Sequence, residues 1–136
     1  GRGLVNIYNY LCFEGNHVAK MSTADQIGLA AKEGDALARN ATRMMIEIFA
    51  TSIANNILVT GSKKCVIICG GISAKLSEFF GDSLFFERLS NKGKYRNYVS
   101  DVPILLSFDN NNGLKGSAEA FYNPFFQMQK ISNLGI

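Results

Sequence analysis

The stretch from Lys64 to Phe80, KCVIICGGISAKLSEFF, limits the architectures open to this chain more than any other. Cys65 to Cys69 is an unbroken apolar run, too short for a helix, which predicts a strand buried on both faces. Gly70 and Gly71 follow at once, and Ile72, Leu76 and Phe79 then recur at helical spacing. Open α/β sheets make ligand crevices from strand, Gly-Gly and helix. The strand's carboxyl end meets a helix start, and glycine removes the Cβ atoms that would bar a ligand. Gly70 and Gly71 are therefore candidates for a wall against which a nucleotide's base and ribose lie. The pattern fits neither G-x-G-x-x-G nor a P-loop, and a Gly-Gly pair after a strand also serves as a plain tight turn.

The segments before this stretch read as helices. Leu4 to Phe13 has strand-like composition, but Leu4, Ile7, Tyr8 and Leu11 share a helical face, and helix is the preferred reading. Ser22 or Thr23 can cap a helix from Ala24 to about Glu33, interrupted by Gly34. Asp35 starts a long helix through Leu58, ended by Gly61; apolar residues on more than one face predict burial between layers. Asn55 and Asn56 interrupt it as buried amides in need of partners. Beyond Gly71, the pattern predicts a helix from about Ala74 to Gly81 and another from Ser83 to Leu89. A turn at Asn91-Lys92-Gly93, a short piece from Tyr95 to Val99 and a second apolar strand, Ile104 to Phe108, follow. Asn111 or Asn112 would cap the next helix, in which Gly116 costs about 1 kcal/mol relative to alanine and implies close approach of a backbone or ligand. Pro124 breaks that helix, Asn123 can cap a further turn, and Phe125 to Ile131 carry an apolar stripe.

Composition excludes several function classes. A chain of 136 residues, 47% hydrophobic, buries one core and predicts one domain. Its opening, GRGLVNIYNYL, lacks a signal-peptide pattern and reads as the middle of a longer protein. No apolar run approaches the roughly 20 residues of a transmembrane helix. The net charge of +3 is small, so the Lys92 to Arg96 cluster with Tyr95 reads as solvated surface rather than a nucleic-acid face. Cys65 and Cys69, on one strand, would lie about 13 Å apart, too far for one metal or a disulfide. With Cys12 in an apolar segment, the odd count points to reduced thiols and a cytoplasmic protein. His17, the only histidine, sits in a polar loop without clustered ligands, which leaves no nucleophilic triad and no zinc site. Half of a nucleotide site remains.

Four motifs then fall in order: GRGLVNIY, VIICGGI, KGKYRNYVSDVP and NNGLKGSAEA. Together they resemble the C-terminal part of the bacterial hexokinase-type glucokinases. Gly1, Gly3, Leu4 and Tyr8 match the family's first motif, and Gly70, Gly71 and Ile72 the second. Lys92, Gly93, Tyr98, Val99, Asp101 and Pro103 match the third, and Asn111, Gly113, Leu114 and Gly116 the last. The resemblance implies an α/β fold, helix-rich with a small core sheet: the C-terminal portion (residues 1–136) of an actin-like, ribonuclease H-like ATPase domain. It also implies ATP-dependent phosphorylation of the glucose 6-hydroxyl at the entry to glycolysis, with Mg²⁺ on the phosphates.

In that family Gly70, Gly71 and Ile72 would be the adenosine motif, and Gly1 and Gly3 would lie near the nucleotide end of the cleft. Asn111 and Gly113, in the loop that helps close the hinge, would also contact the nucleotide. The family's catalytic aspartate, phosphate loops and glucose-contacting residues come earlier in the chain. No catalytic or metal-binding residue is therefore expected in these 136 residues, and the piece alone is expected to be inactive. A kinase for another hexose, or a non-catalytic sugar-sensing or actin-like module, fits the same residues. A homodimer surface would fall on Phe125 to Ile131, or on the Phe79-Phe80 and Phe85-Phe86 pairs.

Overall fold

A computed structural model of the chain describes residues 1–109 and 111–122. Three helices come first: α1 (Arg2–Glu14), α2 (Ala24–Glu33) and α3 (Ala36–Thr60). Strand β1 (Val66–Ile68) leads into α4 (Gly71–Lys75), α5 (Ser77–Phe80) and α6 (Ser83–Ser90). A 3₁₀ turn (Gly93–Tyr95), α7 (Arg96–Ser100), β2 (Ile104–Leu106) and α8 (Asn112–Tyr122) complete it. Among the described residues no helix is long and apolar enough to cross a membrane.

Local chemistry sets the helix ends. The Thr23 hydroxyl accepts the Gln26 N–H, and the Gln26 side chain accepts the Thr23 N–H, a reciprocal box that satisfies two orphan donors of α2. The Asp35 carboxylate accepts the Ala38 N–H at 2.7 Å and opens α3. Gly61, at φ +65°, closes it in the left-handed conformation that glycine adopts most cheaply.

Helix α3 is the axis of the molecule, and α1, α2, α5, α6 and α7 all pack against it. Ala38, Ala41, Ala50 and Ala54 on α3 are wholly buried, small enough to let these neighbours approach closely. Around them Leu4, Ile27, Ile57, Phe85 and Val99 are each at most 2% exposed. Burial of a side chain of this size contributes about 1.5–3 kcal/mol. The third sequence motif proves to be a brace. Lys92 Nζ donates to Asn55 Oδ1 at 2.6 Å, Lys63 lies over the Tyr98 ring, and the Val66 N–H donates to Pro103 O at 2.9 Å. Val99 and Val102 are buried beneath it, and β2 is thereby seated beside β1.

Several expectations need correction. Strand β1 is not buried on both faces. It pairs in parallel with β2, Ile67 opposite Leu105, and these two are 60% and 50% exposed, whereas Ile68 is 6% exposed. Alternate residues point to opposite faces, and no described element of this chain covers the second one. Asn55 and Asn56 are exposed, not buried; Asn56 donates back to Ser52 O at 2.9 Å. The helix expected from Ala74 to Gly81 begins earlier, at Gly71, and breaks at Leu76 (φ −113°, ψ 23°). That break accompanies the joint burial of Leu76, Phe79 and Phe80.

Phe79, Phe80 and Phe85 are core, with Phe80 and Phe85 in edge contact at 5.5 Å, so of those two pairs only Phe86 is exposed as a dimer surface would require. No described side chain of α8 is buried, and a Cβ at Gly116 would meet nothing within 4 Å. Close approach of another described part of the chain therefore does not explain that glycine. Asn123, Pro124 and the Phe125 to Ile131 stripe lie outside the described residues.

Candidate functional site

Because β1 and β2 run parallel and in register, their carboxyl ends emerge together; the Ser107 N–H donates to Ile68 O at 2.8 Å just past them. The Gly70-Gly71 turn leaves from β1, and the loop carrying Asn111 leaves from β2, at this one edge. Residues remote in sequence meet where open α/β sheets place ligands.

Gly70 has φ +104°, a region that L side chains enter at a cost of roughly 1–2 kcal/mol. Gly71 is the first residue of α4, and Ile72 follows in its first turn. Both glycines are exposed, and a Cβ on either would meet no described atom within 4 Å. A side chain at either position would therefore project away from the described atoms.

The second loop is tied by its own polar groups. The Asn112 side-chain amide donates to Ser107 Oγ and Asp109 O, each at 2.7 Å, so it braces the loop instead of capping its helix. The Asn111 N–H donates to Asp109 Oδ1 at 2.8 Å, and Lys115 pairs with the same carboxylate. The Lys115 hydrogen bond, helped by the Asn111 N–H, holds the Asp109 carboxyl below the usual carboxylate range. Asn111 and Gly113 themselves are exposed. Gly1 precedes α1 as its N-cap and Gly3 lies in its first turn, both exposed.

An apolar cavity of about 280 Å³ opens between α1, α2, α3 and the carboxyl end of α4. Leu4, Leu29, Met45 and Leu76 form its walls, with Asp25, Lys32 and Lys75 as its charged groups. Gly28 is the flat part of the α2 wall: a Cβ there would lie 3.2 Å from Leu76 Cδ2, so the Leu76 side chain would have to shift. Leu4, the neighbour of Gly3, thus joins the first motif to the helix that follows the Gly-Gly turn. A larger groove of about 710 Å³ mixes Glu47 and Glu87 with Arg88 and Arg96, and takes no lining residue from the turn or from α4.

Sequence reasoning did not place the cavity or its charged groups. Its one available signal was Gly28, a glycine within a helical pattern, which usually has a packing reason. Among the described residues no group of three or more His, Cys, Asp or Glu is placed to hold a metal ion.

Comparison with known proteins bears on the same residues. A family model described as Glucokinase matches residues 1–124. A glucokinase of Hahella chejuensis is 32% identical over 124 residues, covering 90% of this chain and 38% of that protein. One from Chromohalobacter salexigens is 31% identical over 123 residues, again 90% of this chain and 39% of the relative. A Neisseria meningitidis glucokinase is 27% identical over 124 residues. The chain thus spans less than two fifths of the length of these curated relatives. No solved structure matches it. Since the match spans Gly1, the glycine turn, the brace and the last described helix, the chain belongs to the glucokinase family.

Proposed function

We propose that this chain is the nucleotide-side, C-terminal portion of an ATP-dependent glucokinase of actin-like fold. On this reading the intact protein transfers the ATP γ-phosphoryl group to the glucose 6-hydroxyl, in the cytoplasm. The observation that carries the reading is the side-chain-free Gly70-Gly71 turn at the carboxyl edge of a parallel sheet, joined through α4 to an apolar slot. A flat heteroaromatic ring gains by leaving water for walls such as Leu4, Met45 and Leu76. The Asn111 to Gly113 loop, at the same edge, supplies the hinge side. The actin-like domain continues over the bare Ile67–Leu105 face of the sheet.

In phosphoryl transfer most of the rate comes from positioning and charge neutralisation. This chain's share is binding and orientation of the nucleoside. Mg²⁺ would neutralise the phosphates in the intact protein, held mainly by the part that carries the phosphate loops. The base that accepts the sugar's proton likewise belongs to the part of the protein that contacts the sugar.

The test is Gly71→Val in the full-length protein, a position where a side chain meets no described atom and the fold is spared. The KM for ATP should rise by about tenfold or more while the KM for glucose changes less than about twofold, the signature of lost nucleotide binding alone. An unchanged KM for ATP overturns the reading. The isolated chain should make no glucose 6-phosphate, and steady production by it would overturn the assignment as well.

A further inference from the structure

The slot's hydrogen-bonding groups are few, and their signs are unequal. The charged side chains among its lining residues are two cationic donors, Lys32 and Lys75, and a single anionic acceptor, Asp25. Lys75 Nζ donates to Asp25 Oδ1 at 2.7 Å, bridging the end of α4 to the start of α2. Both side chains are largely solvated, 62% and 71% exposed, and an ion pair this wet is weak enough to be exchanged for another partner.

Position along α4 indicates what that partner is. Gly71 opens the helix and Lys75 closes it, about 6 Å away along the axis at 1.5 Å per residue. A nucleoside that rests its ribose against the Gly-Gly backbone and its ring in the apolar slot brings the far edge of the base to Asp25. A carboxylate can only accept, and the donor on the adenine ring is its exocyclic amine.

We propose that Asp25 is a specificity-determining residue for the nucleotide base, accepting the exocyclic amine of adenine once Lys75 has been displaced from it. The inference rests on the reading of the slot as the adenosine site. Asp25 and Lys75 then act with opposite signs on nucleotide affinity: the first is a contact, the second a competitor for it. A clamp that merely holds α2 to α4 would lose the same thing whichever partner was removed.

The experiment compares ATP with purine riboside triphosphate, which lacks the amine, as phosphoryl donors for the full-length protein. A site with one dedicated polar contact should favour ATP by about tenfold in KM, and Asp25→Ala should erase that preference with kcat held within about twofold. Lys75→Met should lower the KM for ATP by about twofold to threefold. Thermal midpoints of both variants are measured to detect misfolding. Equal effects of Asp25→Ala on both nucleotides, or KM shifts of one sign in both variants, overturn the inference; so does an Asp25-dependent preference for GTP.

The ¹³C-methyl resonance of Met45 separates failure of the inference from failure of the site. If ATP shifts that signal and Asp25→Ala keeps its ATP preference, Asp25 is not the reader. If ATP leaves it unmoved in the unaltered protein, the slot is not the adenosine site.

Discussion

The helical layer around α3 and the two-stranded sheet with α8 are written in equally apolar letters, yet they bury very differently. On α3 the alanines at 38, 41, 50 and 54 are sealed, and Phe85 on α6 is 1% exposed against them. On the sheet Ile67 and Leu105 stand in solvent, with Phe108 and Leu114 beyond them at 63% and 79% exposure. A helix hides one stripe, and neighbours close in sequence can cover it. A parallel strand has two faces and an edge, and covering both takes layers from distant chain segments. Stability in this chain therefore resides in the helices, while the candidate site sits at the margin of the less covered half.

The largest expected effect lies on the well-covered side. Phe85→Ala should destabilise the chain by about 3–5 kcal/mol in urea unfolding, the usual range for an aromatic deleted from a closed core. A loss under about 1 kcal/mol would remove the contrast between the halves.

In this chain by itself, a single strand offers a sharper comparison. Ile68→Ala, on the covered face, should cost about 2–3 kcal/mol, and Ile67→Ala, one residue away on the open face, less than about 0.5 kcal/mol. Equal losses in parallel denaturation curves would mean that the open face is covered after all.

Asp82→Ala comes next. Asp82 accepts the Leu84 N–H at the start of α6 and pairs with Arg43 of α3 at 3.3 Å. Loss of a cap costs about 1 kcal/mol, and a half-exposed pair adds at most about 1 kcal/mol. A total of about 1–2 kcal/mol should appear as a lowered unfolding midpoint at unchanged slope.

The smallest effect is one of pH. The Asp109 carboxyl is held below its ordinary value by Lys115 and the Asn111 N–H. Its hold on the Asn111 N–H and on Lys115 is present above about pH 4, the unfolded carboxyl's pKa, and is lost as pH falls through the lower folded value. Amide hydrogen exchange at Asn111 and Lys115, followed down in pH and corrected for intrinsic rates, should lose protection in that window. Asp109→Asn should remove the pH step.

Much of the helical half was readable in the residues because the governing interactions are local. Thr23 with Gln26, Asp35 with Ala38, and Gly61 after Thr60 act within four positions along the chain, and a short-range pattern is enough to find them. Asn55 was misjudged for the opposite reason. Its partner, Lys92, lies 37 residues away, and nothing near Asn55 reveals that α7 and its turn come round to that face. The same holds for Asp25 and Lys75, 50 residues apart, which became neighbours only when the end of α4 came beside the start of α2.

From the letters alone came the caps of α2 and α3, the two strands and the glycine turn between β1 and α4, because backbone preference and hydrophobic period are properties of short windows. Tertiary structure alone decided that the strands would lie parallel with Ile67 uncovered, that α4 would break at Leu76, and that four helices would leave a slot with one carboxylate at its rim. Those outcomes depend on which surfaces of a folded chain find one another, and burial is settled by neighbours in space, not by neighbours in sequence.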